Sequence, residues 1–156
     1  MNLVMKLFSS RLFKTLVTAS FLSVTSSQAH DFSVGDLSIH HPWARATAPA
    51  ARTGVVYFSI KNTAAEGDTL LGVAVGGSIA KRASLHEMSM DAKGLMRMVE
   101  LKAGLTVAAK TQVKFAPGGY HVMLEGLTQP LVAKQEFGMT MRFAKVGAVS
   151  VTVLVE

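Results

Sequence analysis

From Asp31 to the end of the chain, short runs of alternating apolar and polar residues recur at regular spacing, separated by turn-forming residues. The runs include Asp36–His40 (DLSIH), Thr53–Ile60 (TGVVYFSI), Thr69–Val75 (TLLGVAV) and Gln112–Phe115 (QVKF). Tyr120–Leu124 (YHVML), Met139–Phe143 (MTMRF) and Val149–Val155 (VSVTVLV) continue the series. Between them lie Asn62–Asp68 (NTAAEGD), Gly76-Gly77, Asp91–Gly94 (DAKG), Pro117–Gly119 (PGG) and Gly147. A period of two puts one face of each run in the core and the other in water, which is the pattern of half-buried strands. Regularly spaced short strands with glycine-containing turns predict an all-β domain, a β-sandwich or Greek-key barrel. No long stretch carries a helical period, and no repeat or low-complexity linker divides the chain. At 156 residues it is expected to form one domain.

The first 29 residues read differently. Lys6, Arg11 and Lys14 supply positive charge, Thr15–Val24 (TLVTASFLSV) is a short apolar run, and Ser27 and Ala29 sit at the small-residue positions of a cleavage site. This is the pattern of an export signal, and the apolar run is too short to span a bilayer. Cleavage after Ala29 would leave residues 30–156 as a single mature domain beginning at His30, expected in the periplasm and not as an integral membrane protein. It would also remove three cations, so that +3 remains of the net charge of +6. A mildly basic domain with no Lys/Arg stripe interleaved with aromatics is not a nucleic-acid-binding footprint.

The chain has no cysteine, which excludes disulfides, thiolate metal sites and cysteine nucleophiles. Its only sulfur is in nine methionines, and seven of these follow residue 80. His121 and Met123 are two apart in an expected strand and therefore leave the same face. Upstream, His86, Met88 and Met90 share one face of an extended segment, and Met96 and Met98 share a face after the Asp91–Gly94 turn. A hairpin from His86 to Met98 would bring its arms together. The sequence thus offers two histidines and several thioethers from two regions of the chain.

A thioether is soft and neutral, and suits Cu(I) far better than it suits harder ions; imidazole adds a stronger donor. Zinc would favour cysteine, histidine and carboxylates. Of the nearby acids, Glu87 points away from His86 in a strand, and Glu125 shares the face of His121 but lies beyond Met123. Met139 and Met141 are expected to pack the core, the commoner use of methionine. Trp43 is expected to pack over the barrel. Absence of cysteine argues against a blue-copper electron carrier. No Ser-His-Asp set or paired carboxylates with hydrolase spacing are present, so hydrolytic catalysis is not expected.

The stretches Leu85–Met98 (LHEMSMDAKGLMRM) and Pro117–Leu127 (PGGYHVMLEGL) resemble the periplasmic copper(I) chaperones called PCu(A)C, as do His41–Arg45 (HPWAR) and the strand near Gly54–Ile60. The resemblance runs from about His30 to Glu156. It implies a cupredoxin-like Greek-key β-barrel with a surface-exposed Cu(I) site whose ligands are His86, Met98, His121 and Met123. Glu87 stands where the family often has a methionine, and twenty-two residues separate Met98 from His121, about one more than the family's spacing. The extra residue is expected in a loop within Leu101–Ala116. Met96 could share the face of Met98, so the choice between them stays open at this point. The resemblance also implies a monomeric metallochaperone that delivers Cu(I) to the dinuclear copper site of the cytochrome c oxidase copper subunit, with Sco-type proteins as further partners. A periplasmic copper buffer or resistance protein would use the same residues. A Cu(II) site at His30, built from its amine and imidazole and extending to a copper enzyme if a second histidine joins it, is a further alternative, and a metal-free secreted β-sandwich interaction domain with every methionine in the core is another.

Overall fold

The computed structural model describes residues 31–156; the expected export segment and His30 lie outside the described residues. The described chain is all β. Its strands are β1 (Phe32–Val34), β2 (Leu37–Ala44), β3 (Thr53–Asn62), β4 (Asp68–Val75), β5 (Ala80–Met90) and β6 (Met96–Glu100), then β7 (Leu105–Val107), β8 (Gln112–Phe115), β9 (Tyr120–Leu127), β10 (Glu136–Phe143) and β11 (Ala148–Val155). All seven runs read from alternation form strands. Three segments without a full alternating period were not anticipated as strands: β1, β7 and the Ala80–Leu85 start of β5.

Hydrogen bonding joins these strands in the order β6-β5-β9-β8-β3-β2-β11-β10-β4-β7, with β1 on β2 and β9 also pairing β3. Most neighbours are antiparallel; β11 meets β2 in parallel through Leu154↔Trp43 and Val155↔Ala44. The result is a mixed open sheet that folds over a single core in cupredoxin-like fashion. Ile39, Val56, Ile60, Val122 and Leu124 from one part of the path meet Leu70, Met139, Met141, Val151 and Val153 from the other. Alternation explains the assignment: in β10 Phe137, Met139, Met141 and Phe143 are buried, while Gly138 and Arg142 face water. Truncating a fully buried residue such as Leu124 to alanine would cost about 2–5 kcal/mol.

Two local features bear on the site. The β5–β6 hairpin closes at Asp91–Leu95, where Gly94 adopts φ +78°, a left-handed conformation that glycine takes without strain. The Asp91 Oδ1 accepts the backbone N–H groups of Lys93 at 2.9 Å and Leu95 at 3.0 Å, and its Oδ2 accepts from Arg97 Nε at 2.8 Å. The second is the turn before β9. Gly118 is also left-handed at φ +80°, and the Gly119 N–H donates to Ala116 O, which reverses the chain into Tyr120.

His40 and His41 do not continue as regular strand. His41 has φ +48°, and the β2–β3 register slips between His40 and Trp43. Each histidine finds an acid, His40 Nδ1 at 2.9 Å from Asp31 and His41 Nε2 at 3.3 Å from Glu156. Trp43 packs on Tyr57, with ring centroids 4.9 Å apart.

Candidate metal centre

Strand β5 lies between β6 and β9, so residues from all three share one outward sheet face. The register sets the pairs. His86 stands opposite His121 on β9 and opposite Glu100 on β6. Met88 stands opposite Met98, and Met90 opposite Met96. On the other side Ser84 faces Met123 and Arg82 faces Glu125. Because directly paired residues point the same way, this face carries Arg82, Ser84, His86, Met98, Glu100, His121, Met123 and Glu125.

The two imidazoles lie near-parallel, with centroids 5.7 Å apart and planes 21° off. Both are almost wholly buried, at 7% and 6% exposure, although they leave the core-distal face. Met98 lies against His121, its Sδ 3.2 Å from His121 Nε2, and is itself 47% exposed. Thus the histidines sit just beneath the surface, with one thioether at the surface above them.

Hydrogen bonds orient each ring. His121 Nδ1 lies 3.1 Å from Gly119 O, a carbonyl that only accepts, so Nδ1 carries the proton and the Nε2 lone pair is directed at Met98. His86 Nε2 lies 3.0 Å from Ser84 Oγ. Its Nδ1 is buried without a hydrogen-bond partner. A buried polar atom left unpaired costs about 1–3 kcal/mol, so such an atom calls for a functional reason. In the tautomer that donates its Nε2 proton to Ser84, the His86 Nδ1 lone pair is free to bind an electrophile. Burial, and then the neighbouring His121, lower the His86 pKa from its ordinary 6.5. Both effects favour the neutral imidazole, the form that binds a metal ion.

The carboxylates on this face are already engaged. Arg82 spans Glu125, at 2.6 Å, and Glu100. Glu87 points to the opposite face, where burial and then Glu87 itself raise the Tyr120 pKa. Among the described residues no three histidine, aspartate or glutamate side chains gather to hold a metal ion. The available donors are two neutral imidazole nitrogens and thioether sulfur, the set that suits a soft monovalent ion.

Of the four residues singled out in the sequence, His86 stacks on His121 and Met98 touches His121. Met123 shares the face of His121 one rung along, opposite Ser84. Met96 lies farther out, opposite Met90 near the hairpin tip, so Met98 is the thioether beside the imidazoles. Ser84, Arg82, Glu100 and the Gly119 carbonyl were not picked out from the sequence. Ser84 and Arg82 do carry a signal, being two and four residues before His86 and hence on its face. Met139 and Met141 are fully buried core residues, as expected.

The LpqE-like family model matches residues 37–155. A Leifsonia xyli subsp. xyli protein with a lipoprotein name, Lxx21020, is 30% identical over 138 residues, 83% of this chain and 80% of its own. Among solved structures, the apo PCuAC domain from PmoF1 matches with a TM-score of 0.67 and 28% identity, covering 81% of this chain and 98% of that domain. The copper-bound PCuAC domain from PmoF2 matches with a TM-score of 0.66 and 26% identity, over 81% of this chain and 97% of that domain. By its sequence over residues 37–155 and by its fold, the chain belongs to the LpqE-like family of PCuAC-type β-domains.

Proposed function

We propose that this protein is an exported copper metallochaperone that holds one Cu(I) through His86 Nδ1, Met98 Sδ, His121 Nε2 and Met123 Sδ. The observation that carries the reading is the pair of buried imidazoles directly opposed on β5 and β9. Each has one nitrogen tied to Ser84 or Gly119 and the other left as a donor, with the Met98 sulfur already against His121. The copper-bound state of the PmoF2 domain, a relative in fold, supports the choice of metal. All four donors bind as uncharged groups, so the loaded site keeps the single positive charge of Cu(I).

An exposed thioether above buried nitrogens suits hand-over. A receiving ligand can attack the ion from the surface while the imidazoles still hold it, and one Cu–S bond breaks as another forms. The protein performs no bond chemistry on a substrate; the ion is its cargo.

Several finer assignments rest on the sequence pattern of the first 29 residues and, for the acceptor, on the family resemblance. The residues before His30 act as a cleaved export signal, residues 30–156 form the mature domain, and the compartment is the periplasm. The lipoprotein name of the Leifsonia relative agrees with export. No helix among the described residues is long and apolar enough to cross a membrane. The acceptor is the dinuclear copper site of the cytochrome c oxidase copper subunit, with Sco-type proteins as co-workers.

An anaerobic Cu(I) competition titration tests the binding. The exported protein should take up one tightly held equivalent, and a His121→Ala/Met123→Ala double variant should lose it. Uptake untouched by the double substitution would overturn the ligand assignment. For delivery, mixing the loaded protein with the apo copper domain of the oxidase should develop the dinuclear chromophore after oxidation. No transfer to that domain, with or without a Sco-type protein, would reduce the role to copper buffering.

A further inference from the structure

The proposed ligand set leaves four-methionine geometry on the β5–β6 hairpin largely unused. Met88 opposes Met98, and Met90 opposes Met96 on the next rung toward the tip. All four therefore project from one face, with directly paired Cβ atoms about 4.5–5.5 Å apart and successive rungs about 7 Å apart. With three rotatable bonds each, sulfurs on adjacent rungs can converge on one ion.

Core packing does not account for the outer pair. Met90 is 67% exposed and Met96 50%, against 1% and 0% for the core residues Met139 and Met141. Nor are donor types mixed along the hairpin. Glu87, Ser89, Arg97 and Val99 alternate onto the other face, so the methionine face offers sulfur alone over these two rungs. The turn is rigidly specified, with Asp91 accepting from the Lys93 and Leu95 backbone and pairing with Arg97. That network fixes the register that opposes the methionines.

We propose that Met90 and Met96, one rung outward from Met98, form with Met88 a second, weaker site for a soft monovalent metal ion near the hairpin tip. Three neutral thioethers bind such an ion less firmly than a set that includes two imidazoles. An ion captured at the tip therefore runs inward: a bond to Met98 Sδ forms as a bond to Met96 or Met90 breaks. The ion remains monovalent throughout, and no proton moves. The tip site stands on the methionine geometry alone, whereas the passage inward rests on the His/Met ligand reading above.

Silver(I), a redox-stable soft monovalent ion, provides the probe, read by NMR of methionine labelled with carbon-13 at its methyl groups in the exported protein. The first equivalent should move the Met98 and Met123 methyl signals. A second, weaker equivalent should move those of Met88, Met90 and Met96. In a Met90→Leu/Met96→Leu variant, which conserves volume, the second event should vanish while the first persists. In a His121→Ala variant the tight event should be lost and the tip event retained. Saturation at one equivalent with the Met90 and Met96 signals unmoved, or a second event that survives the double leucine substitution, would overturn the tip site. A tight event indifferent to His121→Ala would instead overturn the ligand assignment and leave the tip site standing.

Discussion

The Sδ of Met98 lies 3.2 Å from Nε2 of His121, across the sheet from a strand whose sequence is 23 residues away. This contact joins the β5–β6 hairpin to β9 and distinguishes Met98 from Met96, which sits a rung farther out. Substituting Met98→Leu removes the sulfur at nearly constant volume, on a half-exposed position where packing loss is small. Cu(I) affinity should fall by at least the about 10–100-fold that loss of a supporting partner costs in other metal sites. Met96→Leu should leave the tight equivalent unchanged. Competition titrations of the two variants side by side check this, and equal losses would place the ligand elsewhere.

Ser84 supports His86 through a 3.0 Å contact to Nε2. Removing the hydroxyl in Ser84→Ala frees the ring to change tautomer or rotate. Affinity for Cu(I) should fall about 10–100-fold without loss of stoichiometry. The metal-free protein should lose about 1 kcal/mol of stability, since a second ring nitrogen is left unpaired beneath the surface. Denaturant melts of the metal-free variant and competition titrations of the loaded one separate the two effects.

How far these relationships could be read from the sequence depends on their range. Alternation within YHVML or MTMRF is local, and it placed His121 with Met123 on one face and Met139 with Met141 in the core. The hairpin was visible as well, because Asp91–Gly94 contains its own turn chemistry. The opposition of His86 to His121 is a register between strands 35 residues apart, and no local pattern encodes it. The same holds for Glu100, which acquires a role only when β6 lies beside Arg82. β1 and β7 have three residues each, too few to display a period, and they exist because β2 and β4 offer them an edge.

Arg82 holds the two carboxylates of the site face, Glu100 and Glu125, in ion pairs at the solvent boundary. Exposed pairs of this kind add little to stability, so Arg82→Ala should melt close to the parent protein. It does release Glu100, which lies opposite His86, to act as a hard oxygen donor next to two imidazoles. Zn(II) binding should therefore strengthen in the variant relative to Cu(I). Calorimetric titration with Zn(II) tests this; an unchanged or weaker signal would show that the arginine does not restrain the carboxylates.

Asp68 anchors the turn before β11, accepting the N–H groups of Thr69 at 2.7 Å, Lys145 at 2.9 Å and Val146 at 3.1 Å. Burial pushes its carboxyl up, but the three backbone donors and Lys145 outweigh it and hold the pKa below the ordinary 3.8. A folded pKa below the unfolded one means that ionised Asp68 stabilises fully above about pH 4. That contribution is lost as the pH falls through the folded pKa. Asp68→Ala should cost about 1–3 kcal/mol at pH 7. The gap from the parent should narrow as the pH drops below the unfolded value, in urea melts run from pH 7 to pH 2.5. A gap that stays constant over that range would assign the loss to packing.

X-ray absorption at the copper edge of the singly loaded exported protein reads out whether two imidazole nitrogens and two thioether sulfurs hold one Cu(I). The first shell should contain both nitrogen and sulfur scatterers, with the sulfur contribution halved in Met98→Leu and gone in Met98→Leu/Met123→Leu while imidazole scattering remains. A shell of nitrogen and oxygen alone, or sulfur scattering unchanged in the double variant, would contradict it.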